Sequence, residues 1–109
     1  MKTKLLVTDI IAKSSAILHS DGLILFKKLV SEGNNEIVLS FQGIEHCTTA
    51  FLNASIGNFV LGSPSKFGQL ELEGTNDDLN AKITMVVENA IDQKKNDSYL
   101  RLTKSYVNA

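Results

Sequence analysis

Short apolar runs alternate along this chain with longer stretches whose apolar residues recur at helical spacing. The short runs are rich in Leu, Ile and Val and have the length of strands. One of them has three large apolar residues in succession without alternation, which predicts a central strand covered on both faces. The three predicted strands are residues 5–11, 36–41 (the central one) and 69–73.

Each of the longer stretches begins at a residue that can cap a helix. Ser20 or Asp21 caps the first predicted helix, and Thr48 or Thr49 caps the second. Thr75, with an acidic residue three positions on, resembles a capping box for the third. The apolar residues predicted to lie on one face are Leu23, Ile24, Phe26, Leu29 and Val30 in the first helix, Phe51, Leu52, Ile56, Phe59 and Val60 in the second, and Leu79, Ile83, Val86, Val87, Ala90 and Ile91 in the third.

The order of strands and helices predicts an α/β fold with one small mixed, largely parallel β-sheet and helices packed against it. Residues 12–19 are interpreted as a connector. No repeat or long linker interrupts the chain, so residues 1–109 are predicted to form a single domain with its core at about 5–96. In the C-terminal tail, residues 97–109, the pattern at 99–103 indicates either an edge strand or a mobile end.

Composition narrows the classes of function. The formal net charge is -1, which disfavours general binding to nucleic-acid phosphates. A single Cys excludes an intramolecular disulfide, and no run of about 18 apolar residues is present to span a bilayer. Hydrophobic residues make up 43% of the chain, enough for a real core. We therefore expect a soluble, cytoplasmic protein that binds neither nucleic acid nor membranes.

Residues able to carry out chemistry are few. His19 and His46 have no metal-ligand spacing to Cys47 or to an acidic pair, so no metal or cofactor site is predicted. Cys47 precedes a predicted helix start, where the helix dipole would favour the thiolate. A buried structural cysteine is the favoured interpretation, and an enzyme that uses Cys47 is the alternative. We expect no enzyme activity.

The second predicted helix start is the strongest candidate site. Its unpaired backbone N–H groups and positive dipole end would tolerate a phosphate beside Thr48 and Thr49. Plain N-capping by threonine explains the same residues, and the pattern alone favours it.

Residues 38–57, VLSFQGIEHCTTAFLNASIG, resemble the core of STAS-like domains of unknown function, which are similar to the STAS domains of anti-sigma factor antagonists. The family pattern has an apolar strand ending in Asp-Phe, a small Gly-containing turn, a helix start with Ser-Phe, and a Gly about six residues on. The resemblance extends loosely from Leu5 to Asn96. It implies a small mixed sheet with helices on one side.

The resemblance implies a non-catalytic regulatory module for protein–protein interaction. In the better-known relatives, the loop and helix start dock onto a GHKL-type kinase or ATPase. Phosphorylation of a Ser at the helix start then releases the domain, which is called partner switching. That Ser corresponds to Ala50 here, so Thr48 and Thr49 are the candidate phosphoacceptors, and Ser40 stands where the family's strand ends in Asp.

The predicted contact surface runs from His46 to Asn53. Asn53 and Ser55 are expected to be partly exposed, with Phe51 or Leu52 packing inward and the other supplying an apolar anchor. The alternative function is a nucleotide- or small-ligand-sensing subunit that binds at the helix start near Thr48 and Thr49. The predicted partner-binding residues are His46, Thr48, Thr49, Phe51, Leu52, Asn53 and Ser55.

Overall fold

Three parallel strands and the helices that connect them form the centre of the computed structural model. The structure describes the backbone of residues 2–62 and 64–107, and the side chains of residues 2–62 and 65–93. The strands are β1 (Lys2–Leu6), β2 (Ser15–Ala16), β3 (Glu36–Ser40), β4 (His46–Cys47) and β5 (Leu70–Glu73). The helices are α1 (Val7–Ile11), α2 (His19–Ser31), α3 (Thr49–Leu52), α4 (Asn58–Gly62) and α5 (Asp77–Val107), with a π-helical turn at Asn53–Gly57 and a 3-10 helix at Pro64–Gln69.

The main sheet has the strand order β1-β3-β5, and both neighbouring pairs are parallel. β3 is the central strand, as its apolar run predicts, and its Ile37 and Leu39 are buried. Val38 between them is only half-buried, so the face of the sheet that it occupies is covered less completely than expected. β2 and β4 form a separate parallel pair of two residues each. The predicted α/β class with a small, largely parallel sheet is confirmed.

The first predicted strand, residues 5–11, is wrong over most of its length. β1 ends at Leu6, and the next five residues form α1. Val7 and Ile11 are both buried, because their spacing of four residues places them on one face of a helix. The strand begins earlier than predicted, where Lys2 and Lys4 alternate with less exposed residues.

The first helix, α2, faces the core with a different side from the one predicted. Leu25 and Leu29 are buried, whereas Leu23, Ile24 and Val30 are exposed. Gly22 determines this orientation. A Cβ atom there would lie 2.6 Å from the carbonyl oxygen of Phe51, so only glycine allows this close approach of the two helical segments. The remaining predicted apolar residue, Phe26, is half-buried.

The predicted caps of α2 are also wrong. Neither Ser20 nor Asp21 is the N-cap, because the helix begins at His19 and Leu18 occupies the cap position. The Asp21 carboxylate instead accepts a hydrogen bond from Lys13 Nζ at 2.8 Å, which ties the preceding loop to the helix. The predicted end is confirmed, since the chain turns after α2 at Gly33 with a φ of +61°.

The apolar face predicted for the second helix is correct, but the structure has two short α-helices joined by a π-helical turn in place of one regular helix. Phe51, Leu52, Ile56, Phe59 and Val60 are all buried. The pattern did not predict the π-helical turn between α3 and α4. This turn adds a residue to the helical repeat, which is why the chain can bury Ala54, Ser55, Ile56 and Gly57 in succession.

The third predicted helix, α5, has the expected inward face. Asn76 caps it through its Oδ1, which accepts from the Leu79 N–H at 2.8 Å, so the capping box at Thr75 is wrong. The helical backbone continues to Val107, so the edge strand considered for residues 99–103 is wrong. Within the part of the chain that the structure describes, no helix has both the length and the apolar character needed to cross a bilayer. Leu79, Ile83, Val86, Val87 and Ala90 are buried, and Ile91 is half-buried.

Candidate functional site

The predicted site lies beyond the carboxyl ends of β3 and β5. The turns that follow these strands contact each other, because a Cβ atom at Gly74 would lie 2.7 Å from the Gln42 backbone nitrogen. Both turns use a glycine with positive φ, +85° at Gly43 and +69° at Gly74. Ligand sites in open α/β sheets occur at this end of the strands. The fold thus places the β4 segment and the start of α5 where such sites are found.

Thr48 holds together the helix start and the short second sheet. Its backbone N–H donates to the Ala16 carbonyl at 3.0 Å, just after the β2–β4 pairing. Its hydroxyl donates to the Ile17 carbonyl at 2.8 Å and accepts from the Phe51 N–H at 3.2 Å. The predicted N-cap is therefore confirmed at Thr48. The Thr48 hydroxyl thus donates one hydrogen bond and accepts another, and both bonds stabilise the local structure.

The predicted contact residues divide into exposed and buried sets. His46 and Asn53 are exposed, and Thr48 and Thr49 are half-buried. Ser55 was expected to be exposed but has no exposed surface, and its hydroxyl donates to the Phe51 carbonyl at 2.9 Å. This expectation fails because Ser55 lies four residues after Phe51 and three after Leu52, on the helix face that these buried side chains share.

The apolar anchor was also expected in the wrong place. Phe51 and Leu52 are both fully buried, so neither can contact a partner in the folded protein. Two large apolar residues of the predicted connector are exposed instead. Ile17 is 43% exposed and Leu18 is 52% exposed, although both side chains are large and apolar. The pairing of β2 with β4 places these two residues beside the helix start. Each of these strands has two residues, which is too short for a strand pattern to be recognised in the sequence.

A cleft of about 410 Å³ lies between β4 and the start of α5. Its charged groups are the carboxylates of Glu45 and Asp78 and the ammonium of Lys82. Lys82 Nζ lies 3.1 Å from Asp78 Oδ2 and donates to the Cys47 carbonyl at 3.2 Å, so the only cation of the lining is already paired. The lining residues are Ile17, Ile44, Glu45, His46, Cys47, Thr48, Asn76, Asp78, Leu79 and Lys82.

A second cleft of about 420 Å³ is lined by residues of the start of α2, the segment at 53–61 and α5. His19 lines it, whereas Ile17 lines the first cleft, so Leu18 sits in the chain between the two. The polar groups of this second cleft are mostly carboxamides. Its lining residues are His19, Asn53, Gly57, Asn58, Leu61, Val86, Asn89, Ala90 and Gln93.

A family model for a STAS-like domain of unknown function (DUF4325) matches residues 21–78, just over half of the chain. The match includes β3, β4, the helix start at Thr48 and β5. The chain belongs to this STAS-like family. No curated protein and no solved structure matches it significantly. Membership of a STAS-like family suggests a regulatory role.

In this STAS-like domain, the position that resembles the phosphorylated Ser of the better-known relatives is on the surface. Ala50 is exposed, one residue after Thr49 at the beginning of α3. The position is accessible, but its side chain has no hydroxyl to modify. Thr49, the residue before Ala50, is half-buried, and its hydroxyl has no hydrogen-bond partner among the described residues.

Cys47 of this STAS-like domain is a protonated thiol at neutral pH. Burial raises its pKa to about 11, and the nearby Lys82 ammonium opposes this shift without cancelling it. The expectation that the helix dipole would favour the thiolate is therefore wrong, because desolvation dominates. Sγ lies 4.0 Å from the Thr48 carbonyl, a weak contact that the thiol donates. In the described residues, no group of three His, Cys, Asp or Glu side chains is arranged to hold a metal ion.

Proposed function

We propose that this STAS-like domain is a non-catalytic regulatory module that binds a protein partner, a GHKL-type ATPase or kinase. The candidate docking surface consists of Ile17, Leu18, His46, Thr49 and Asn53. It combines the exposed part of the predicted contact surface with the two apolar residues from the connector. An apolar centre surrounded by polar side chains is the arrangement of protein–protein interfaces.

The exposure of Ile17 and Leu18 is the observation that carries this proposal. Both lie next to the capped helix start, since the Thr48 hydroxyl binds the Ile17 carbonyl. Large apolar side chains at the centre of an interface contribute most of its binding energy. Leu18 is well placed for this role, because its chain neighbours Ile17 and His19 each line a cleft that can receive side chains of a partner.

The hydrogen bonds of Thr48 bear on partner switching. A phosphate on its Oγ1 would break the donation to Ile17 and disturb the cap of α3, so it would loosen the docking surface itself. We therefore assign Thr48 a structural role and leave Thr49 as the candidate phosphoacceptor. A phosphate there would add nearly two negative charges beside the apolar centre and would release a partner by desolvation and repulsion.

Capture of the partner from the native lysate tests this function. The purified domain is immobilised, and the proteins retained with and without ATP are identified, together with the intact mass of the domain. Retention of a GHKL-type ATPase, with release on adding ATP and an added phosphate at Thr49, supports switching. Retention without a mass change supports docking alone. Failure of any GHKL-type ATPase to bind the purified domain contradicts the proposal.

Ligand sensing is the second candidate function, and the cleft of about 410 Å³ beside Thr48 favours it. The charges of this cleft argue against a nucleotide, because Glu45 and Asp78 outnumber Lys82 and Lys82 is paired with Asp78. A neutral or cationic small molecule fits better. Thermal unfolding in the presence of ATP, and separately of a library of neutral and cationic metabolites, tests this function. A concentration-dependent rise in melting temperature supports it, and Leu79→Trp, which fills the cleft, should abolish the rise.

A further inference from the structure

We propose that a second copy of this chain extends the main sheet, with β1 of one copy lying parallel to β5 of the next. Both strands are edges, because in the portion of the chain that is described each has β3 as its only strand neighbour. Edge strands present unpaired backbone N–H and C=O groups, which another strand can bind. This surface is distinct from the candidate docking surface, so the proposal is independent of the partner.

The two edges carry opposite charges. β1 presents Lys2 and Lys4, and β5 presents Glu71 and Glu73, with all four side chains exposed. Pairing of β1 with a second β1 places lysines opposite each other, and pairing of β5 with a second β5 does the same with glutamates. Like charges directly opposite each other in a sheet are destabilising. The charges therefore disfavour pairing of like edges and favour β1 against β5.

The same charges already attract each other within one copy, but over a longer path. Lys2 Nζ lies 3.2 Å from Glu71 Oε2, and Lys4 Nζ lies 3.3 Å from Glu73 Oε2. These pairs reach across β3, a separation of two strand spacings, or roughly 10 Å between backbones. In the extended sheet, lysine and glutamate lie on adjacent strands about 5 Å apart. Pairing between copies therefore requires less reach than the pairs within one copy.

The inner face of the β5 edge is incompletely covered. Leu70 and Leu72 are half-buried, whereas their register partners on β3, Ile37 and Leu39, are almost completely buried. The difference arises because β3 has a strand on each side and β5 has one. A strand added beside β5 would cover the exposed flanks of both leucines. Apolar burial and charge thus favour the same arrangement.

The contact joins two different surfaces, so it is heterologous. After two copies pair, the pair keeps one free basic edge and one free acidic edge, and the assembly grows head to tail unless the rotation between copies closes a ring. A parallel contact of this kind preserves the strand direction of the main sheet.

Complementary charge reversals test the arrangement. Lys2→Glu with Lys4→Glu makes both edges acidic, and Glu71→Lys with Glu73→Lys makes both edges basic. We expect each double variant to be monomeric alone and an equimolar mixture to associate, as seen by sedimentation velocity. The wild-type chain should associate at about 0.01 M salt and about tenfold more weakly at 1 M salt, where the Debye length falls from roughly 30 to 3 Å.

A charge-matched control separates edge pairing from general attraction. Each double reversal changes the formal net charge by four, from -1 to -5 or to +3. Lys27→Glu with Lys28→Glu, and Glu88→Lys with Asp92→Lys, produce the same charges on exposed helix positions. The proposal is overturned if the control mixture associates as strongly as the edge mixture. It is also overturned if the wild-type chain and the edge mixture both remain monomeric at low salt. Should circular dichroism show that an edge variant is unfolded, the single changes Lys4→Glu and Glu73→Lys are mixed instead.

Discussion

The helical segment at residues 49–60 and the helix α2 have similar apolar content, yet they are covered to very different extents. The first buries residues on nearly every side, from Phe51 to Val60. α2 buries one side and leaves Leu23, Ile24 and Val30 exposed. The sequence favoured the opposite assignment, with docking residues in the first segment and a broad core face on α2.

The difference follows from position in the fold rather than from composition. The segment at 49–60 is packed against α2 on one side and α5 on another, whereas α2 packs mainly against that segment. Hydrophobic spacing identifies the face that a helix turns inward, but it does not show how many neighbours the helix has. Two exposed apolar residues next to the Thr48 helix start, Ile17 and Leu18, lie outside both helical patterns.

Truncation of the central aromatic residue is expected to produce the largest contrast between the two segments. Phe51→Ala should lower the free energy of unfolding by about 3–5 kcal/mol, because it removes a fully buried ring. Leu23→Ala, on the exposed side of α2, should change it by less than about 1 kcal/mol. Urea denaturation measures both. Equal losses would contradict the difference in burial.

The close contact between the segments can be broken at Gly22. Gly22→Ala introduces a Cβ atom 2.6 Å from the Phe51 carbonyl oxygen and 2.7 Å from Ala54 Cβ. We expect a loss of about 1–3 kcal/mol, despite the gain of about 1 kcal/mol in helix propensity. Gly62→Ala is the matched control, since in the described residues its added Cβ would meet nothing within 4 Å beyond its chain neighbours and its own helix. A stabilised Gly22→Ala protein would show that the two segments are not in contact.

The helix start at Thr48 offers a smaller test. Thr48→Val removes both the cap and the hydrogen bond to the Ile17 carbonyl, and should cost about 0.5–2 kcal/mol. Thr49→Val, one position on, should cost less than about 0.5 kcal/mol. Thermal unfolding of the two variants checks this prediction. A larger loss of stability for Thr49→Val than for Thr48→Val would show that Thr49, and not Thr48, caps α3.

The environment of Cys47, which lines the first cleft, is tested by the reactivity of its thiol rather than by stability at neutral pH. Its pKa of about 11 lies above the ordinary thiol value of 9.0, so the folded protein should react with iodoacetamide about a hundredfold more slowly than the denatured chain near pH 8. The raised pKa also contributes stability that is fully present below about pH 9 and is lost as the pH rises toward 11. Comparison with Cys47→Ala isolates this contribution. Equal alkylation rates in the folded and denatured states would show an accessible, unperturbed thiol.

Local signals in the sequence predicted much of the fold. The run at β3, the cap at Thr48 and the stripe on α5 each depend on residues close together in the chain, and all three are confirmed. The site depends on contacts between distant residues. Thr48 binds Ile17, 31 positions away, and Lys82 binds the Cys47 carbonyl, 35 positions away. No periodic pattern records such pairs, so the anchor and the cleft could not be predicted.

Ser55 is the clearest case of an incorrect site residue, and helical spacing explains it. Ser55 lies four residues after Phe51 and three after Leu52, so a helix places it on the same face as these two buried side chains. Its hydroxyl binds the Phe51 carbonyl there. The spacing itself therefore predicts burial of Ser55, whereas the π-helical turn at Asn53–Gly57 has no reliable sequence signature.

The most direct test compares two exposed apolar positions, Leu18 and Ile24, in binding to whichever GHKL-type ATPase the proposed capture experiment retains. Leu18→Asp changes a residue at the centre of the candidate docking surface, and Ile24→Asp changes one of similar exposure on α2, 52% against 48%. Titration calorimetry with the purified partner should show binding at least about tenfold weaker for Leu18→Asp and unchanged for Ile24→Asp. Unchanged binding by Leu18→Asp, in a protein with wild-type circular dichroism, would contradict the assignment of this surface.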